Sequence, residues 1–137
     1  MRGESRSVAS VLQEKSKGFA LQIIKVCNEI KQNKRESALT NQLIRSGTGI
    51  GANVREAMYA HGKADFIPKL QIALKECSES EYWLELLIES GYYEDRAILE
   101  QCIGIKKLLI SSINTAKNNR NGFASKVNST SICDVHF

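Results

Sequence analysis

One proline in 137 residues and an aromatic content of 7% disfavour a turn-rich all-β design and favour helices. No apolar run approaches the roughly 20 residues of a membrane span, and Met1 to Ser10 holds no apolar signal core. A cytoplasmic protein with no membrane partner is therefore expected. The four cysteines, Cys27, Cys77, Cys102 and Cys133, lie far apart and form neither a CxxC pair nor a cluster with His61 or His136. That spacing argues against a metal site. The first three fall on apolar stripes, where a reduced thiol behaves as a small buried apolar group.

Catalytic signatures are equally scarce. Neither histidine has a nucleophile or metal ligand at a useful spacing, no Glu-x-x-His pair exists for a di-iron bundle, and no Gly-Lys-Ser or Gly-Lys-Thr follows the glycines. The acids Glu76, Glu79, Glu81, Glu85 and Glu89 recur on a polar helix face. The expectation is a chain that is not an enzyme, with no catalytic residue, no cofactor and no metal.

Four amphipathic stripes are present. Val8, Leu12, Phe19, Ile23, Val26, Cys27 and Ile30 recur at steps of three and four, which marks one buried helical face over about 8–34. Leu39, Leu43, Gly47, Ile50, Val54 and either Ala57 or Met58 predict a second helix over 38–61, with Gly62 as its stop. Phe66, Leu70, Ala73, Leu74, Cys77, Leu84, Leu87 and Ile88 predict a third over 65–90, capped by Asp65, with Pro68 in its first turn. Ile98, Cys102, Ile105, Leu109, Ile113 and Ala116 predict a fourth over 94–118, the stripe preceded by Glu94 and Asp95, whose charge suits the positive end of a helix dipole. Residues 119–137, rich in Asn, Ser and Thr, read as a flexible tail. The fold class is all-α: an antiparallel up-down-up-down four-helix bundle in residues 1–118.

The second helix contains Ser46-Gly47-Thr48-Gly49-Ile50-Gly51-Ala52, whose glycine spacing also matches a dinucleotide fingerprint. A dinucleotide site needs a strand before the glycines and an acid about 20 residues later; the residues before Gly47 have helical character. Ser46, Gly47, Gly49, Gly51 and Ala52 instead strip one face of bulk so that a neighbouring helix, within the chain or in a second copy, approaches closely. Arg55, with an acid of the third helix as its expected partner, and Trp83 join this group as helix-packing or oligomer contacts.

Three stretches carry a resemblance: Leu43 to Ala57, Lys63 to Glu76, and Glu81-Tyr82-Trp83-Leu84-Glu85-Leu86-Leu87. They resemble the bacterial four-helix bundle proteins encoded in intervening sequences of the large-subunit ribosomal RNA gene, a family that includes accessory proteins of diversity-generating retroelements. The chain departs from the family pattern at Gly49, where serine is usual, and at Pro68, where a polar residue is usual. The resemblance implies a ring-like homo-oligomer, a homopentamer, and for the retroelement branch it implies binding of nucleic acid and a reverse transcriptase.

Charge is partitioned along the chain. Residues 1–69 hold 12 Lys or Arg against 6 acids, residues 70–100 hold 2 against 8, and residues 101–137 hold 5 against 1. Either the acidic third helix complements its neighbours, or the basic first and fourth helices face RNA or DNA. Candidate phosphate contacts are Lys25, Lys31, Lys34 and Arg35 around the first helix, with Lys106, Lys107, Lys117 and Arg120 around the fourth. No aromatic residues interleave with them, so base stacking is not signalled. The competing reading is an oligomeric protein scaffold that binds no nucleic acid.

Overall fold

The computed structural model describes residues 7–121, and among them are four helices and no strand. They are α1 (Val8–Lys34), α2 (Ala38–Met58), α3 (Lys63–Glu89) and α4 (Ala97–Asn121). Helix α1 packs on α2 and α4, and α3 packs on α2 and α4, with α2 against α3 the most extensive contact. The expected tail from residue 122 onward, with Cys133 and His136, lies outside the described residues.

Each boundary has a local cause. The Ser7 hydroxyl accepts from the Ser10 N–H at 3.1 Å and starts α1. Arg35, in the left-handed region at φ 57°, ends it by donating its N–H to the Lys31 carbonyl. The Glu36 carboxylate then accepts from the N–H groups of Leu39 and Thr40, at 2.6 and 3.0 Å, satisfying donors in the first turn of α2.

Helix α2 ends at Met58 rather than residue 61, because Gly62 serves the next helix instead of stopping this one. At φ 82° Gly62 reverses the chain, and its carbonyl accepts from Asp65 and Phe66. Helix α3 therefore starts at Lys63, two residues earlier than expected, and Asp65 is a first-turn acid rather than its cap. The earlier start places Pro68 beyond the first turn, where it removes a helical donor; Ala64, the acceptor left over, is exposed to water.

At the far end, Gly91 (φ 87°) donates to the Ile88 carbonyl and Tyr92 to that of Leu87, the paired bonds of a Schellman stop. Helix α4 starts at Ala97, three residues later than expected, with Glu94 and Asp95 just before it. The Asp95 carboxylate caps the helix by accepting from the Ala97 N–H at 2.9 Å. Helix α4 then runs to Asn121, three residues past the expected end.

The core is one continuous cluster containing Leu12, Phe19, Ile23, Leu43, Ile50, Leu70, Leu84, Leu87, Ile105 and Leu109. Val8, assigned to the first stripe, is 54% exposed because it sits in the terminal turn of α1, beyond the reach of the core. Leu99 and Ile67 join the core although neither was read as part of a stripe.

Cys27, Cys77 and Cys102 are buried free thiols. The Cys77 and Cys102 sulfurs lie 3.8 Å apart, and each thiol donates to the other residue's carbonyl at 3.4 Å. The hydrogen bond shared with Cys77, with burial, raises the Cys102 pKa and keeps it in the thiol form. Burial pushes Cys27 up to about 11.

Two predictions follow from this packing. A Cβ on Gly47 would lie 2.9 Å from Ile23 Cγ2, a branched and stiff neighbour, whereas a Cβ on Gly18 would meet nothing within 4 Å. Gly47→Ala is expected to destabilise by up to about 2 kcal/mol, since overpacking outweighs the helix-propensity gain. Gly18→Ala keeps that gain and stabilises by up to about 1 kcal/mol, and urea unfolding of the pair separates them. Cys27 ionises near 9.0 when unfolded and near 11 when folded. Its contribution to stability is therefore held below pH 9 and lost as pH rises from 9 to 11. Urea midpoints across that window should fall less steeply in Cys27→Ala than in the parent.

Candidate functional site

The glycine run lies wholly inside α2, with a helix and a short loop before it instead of a strand, so it forms no phosphate cradle. Its members serve different neighbours. Gly47 is buried against Ile23 of α1, and Gly51 faces the Ser16 backbone of the same helix. Gly49 faces the Glu76 carboxylate on α3. Ser46 and Ser80 share a buried hydroxyl–hydroxyl hydrogen bond of 2.8 Å between α2 and α3. Ala52 is exposed and takes no part in packing within the chain. Trp83 is partly buried against the core and donates its indole N–H to Glu79 at 3.3 Å.

Three α3 acids, Glu76, Glu79 and Glu81, are engaged by cations of adjacent helices. Arg45 pairs with Glu76 at 3.3 Å and also with Glu79. Glu76 and Glu79 are three residues apart, so one helical turn presents both carboxylates to one guanidinium. Lys106 on α4 pairs with Glu81 at 2.6 Å, with the two side chains only 30% and 19% exposed. The Glu81 hydrogen bond raises the Lys106 pKa. Lys69 on α3 reaches Glu56 on α2 at 2.7 Å.

Arg55 does not make the ion pair expected of it; Arg45 does. Ten residues separate them, which sets their side chains about 80° apart around the helix. Arg55 consequently turns toward α1, on the rim of a groove of about 440 Å³ between α1 and α2. That groove is lined by Lys17, Ala20, Thr48, Gly51 and Ala52 among others. Neither Lys17 nor Arg55 has an ion pair or side-chain hydrogen bond among the described residues.

The eight candidate phosphate contacts separate into groups. Lys25, Lys34 and Lys107 are exposed with no acidic partner among the described residues. Arg35 is exposed at the α1–α2 turn, while Lys117 is half-buried on the last turns of α4. Lys31 is partly buried and donates to the Asn41 side-chain carbonyl at 2.6 Å. Lys106 is held by Glu81 and leaves the free cationic surface. The side chain of Arg120 lies outside the described residues. Sequence reading missed Arg45 as the bridge to α3, although the Glu76 and Glu79 spacing carried that signal. It also missed Lys17 on the groove rim, which had no local signal.

Among the described residues no cluster of His, Cys, Asp and Glu is arranged to hold a metal ion, and no helix is long and apolar enough to cross a membrane. No curated protein matches the chain. A crystal structure of a protein with unknown function from the S23 ribosomal protein family of Bacteroides thetaiotaomicron VPI-5482 is similar. The two are 46% identical with a TM-score of 0.73, over 74% of this chain and 97% of that one. The family model of the 23S rRNA-intervening sequence protein matches residues 9–111, from the first turn of α1 well into α4. The chain belongs to the 23S rRNA-intervening sequence protein family.

Proposed function

We propose that this protein is a cytoplasmic, non-catalytic accessory factor that binds RNA or DNA through basic helix faces. It acts as a ring-like homo-oligomer, a pentamer, of antiparallel up-down-up-down bundles. A reverse transcriptase or another protein is its partner. The antiparallel reading is supported by α1 and α2: Cys27 meets Thr40, Ile23 meets Gly47 and Ser16 meets Gly51, so one number falls as the other rises. A non-catalytic role is supported by the thiols, since Cys27 and Cys102 are buried and disfavoured as thiolates.

The observation that carries the nucleic-acid reading is the allocation of charge. The α3 acids Glu76, Glu79 and Glu81 are engaged by Arg45 and Lys106, while Lys25, Lys34 and Lys107 remain exposed with no ion pair among the described residues. A ring would repeat these cations around its axis and make the weak single contacts multivalent. Phosphate contact, rather than base reading, is the chemistry such lysines perform.

Binding to duplex and single-stranded RNA and DNA, titrated over salt, tests this. Affinity is expected to fall steeply with salt. Replacing Lys25, Lys34 and Lys107 with glutamine should reduce the log–log slope by about 0.9 per lost contact on duplex DNA and about 0.7 on single strands. Absence of binding at low salt overturns the nucleic-acid reading and leaves the protein scaffold.

A further inference from the structure

Of the buried cysteines Cys27, Cys77 and Cys102, two meet. Cys27 donates its thiol to the Thr40 carbonyl at 3.5 Å, and there it serves as a small apolar group with one weak donor. Cys77 on α3 and Cys102 on α4 are both fully buried, with their sulfurs 3.8 Å apart. Each sulfur also lies 3.4 Å from the other residue's backbone carbonyl. Each side chain thus reaches across to the opposite backbone, and the two helices come close enough here for the thiols to lie side by side. One turn beyond each cysteine, Glu81 and Lys106 join the same helices through their 2.6 Å ion pair.

Two thiols in contact have a chemistry that one lacks. From 3.8 Å the sulfurs need to close by about 1.8 Å to reach the length of an S–S bond. Side chains that already cross can do so by turning about their own Cα–Cβ bonds. The closed bundle offers neither thiol to a reagent, since both are fully buried and Cys102 holds its proton. Access comes with the opening of α4, whose contact with α1 is the least extensive of those between neighbouring helices.

We propose that Cys77 and Cys102 form a reversible cross-link between α3 and α4, closed by thiol–disulfide exchange with a low-molecular-weight disulfide. When α4 opens, one cysteine gives its proton to water and attacks the small disulfide; a mixed disulfide forms and one small thiolate leaves. The second cysteine, likewise deprotonated, attacks the protein sulfur of that mixed disulfide. The Cys77–Cys102 bond forms, the second small thiolate leaves, and the two thiolates take up the two protons. Two protein thiols are thereby oxidised, and one small disulfide is reduced to two thiols. Cys27, whose sulfur meets the Thr40 carbonyl instead of a second thiol, stops at the mixed disulfide. In a reducing compartment the pair rests as the dithiol. The bridge closes as disulfide accumulates, and it then fastens α4 to α3 across the turn that joins them.

Oxidised glutathione added to the folded full chain tests this, read by mass spectrometry, peptide mapping and melting. Cys133, outside the described residues, is replaced by serine so that only the three buried thiols report. The expected product has lost two hydrogens, joins the Cys77 and Cys102 peptides, reverts with dithiothreitol and melts about 10 °C above the reduced form. Its formation is expected to quicken in urea too dilute to change the helical dichroism, because access follows the opening of α4. Cys77→Ala and Cys102→Ala should each abolish the loss of two hydrogens and leave at most a glutathione adduct on the surviving cysteine. Adducts on both cysteines without a bridge, a bridge to Cys27, or a chain unreacted in water and in dilute urea alike overturns the cross-link. A bridged form that melts below the reduced one overturns its role in fastening the two helices.

Discussion

Helix α2 meets both of its neighbours through positions that have almost no side chain, and the arrangement of the whole bundle depends on that approach. Three glycines cost an isolated helix up to about 1 kcal/mol each relative to alanine. The compensation is contact. Ile23 of α1 lies directly on Gly47, and the Ser16 backbone faces Gly51 one turn further along. A branched side chain against bare backbone admits little sliding, so these two contacts fix the register that brings Cys27 to Thr40. On the opposite flank, Ser46 and Ser80 bury their hydroxyls against each other, and the Ser80 hydroxyl also serves the Glu76 carbonyl at 2.9 Å. A shift of α3 along α2 would strand these groups unpaired in the core, at about 1–3 kcal/mol each.

That fixed register decides which charges meet. With α3 held at Ser80, Glu76 and Glu79 come opposite Arg45, and Glu81 on another face comes opposite Lys106. Partly solvated pairs of this kind contribute at most about 1 kcal/mol each. Their larger consequence is the sorting of the surface. Glu76, Glu79 and Glu81 are neutralised at helix junctions, and Lys25, Lys34 and Lys107 are left exposed with no ion pair among the described residues.

The architecture was legible because its signal is periodic: steps of three and four named most of the buried residues on all four helices. The ends were less legible because they depend on single backbone states. Gly62 could stop α2 or start α3, and only its φ of 82° and the bonds from Asp65 and Phe66 decide. Asp65 and Asp95 are both acids near helix starts, yet only Asp95 caps. The candidate site was legible by composition and not by direction. Arg45 and Arg55 are the same residue type on the same helix, and the rotation of α2 against α3 assigns the ion pair to the first. Lys106 and Lys107 are adjacent in sequence, but one turns to Glu81 and the other to solvent.

Folding of the single chain accounts for only part of the segments that mark the family. Ser46, Gly47 and Arg45 have intramolecular partners that explain their size or charge. Ala52, Arg55 and Tyr82 lie in the same marked stretches, yet Ala52 is exposed, Arg55 has no ion pair among the described residues and the exposed Tyr82 ring stands beside the neighbouring indole. A small residue on an open helix face does not improve packing of its own bundle, and an exposed tyrosine gains nothing from burial it does not have. The inner residues of α2 and α3 set the register of the bundle, and Ala52, Arg55 and Tyr82 stand outside that role.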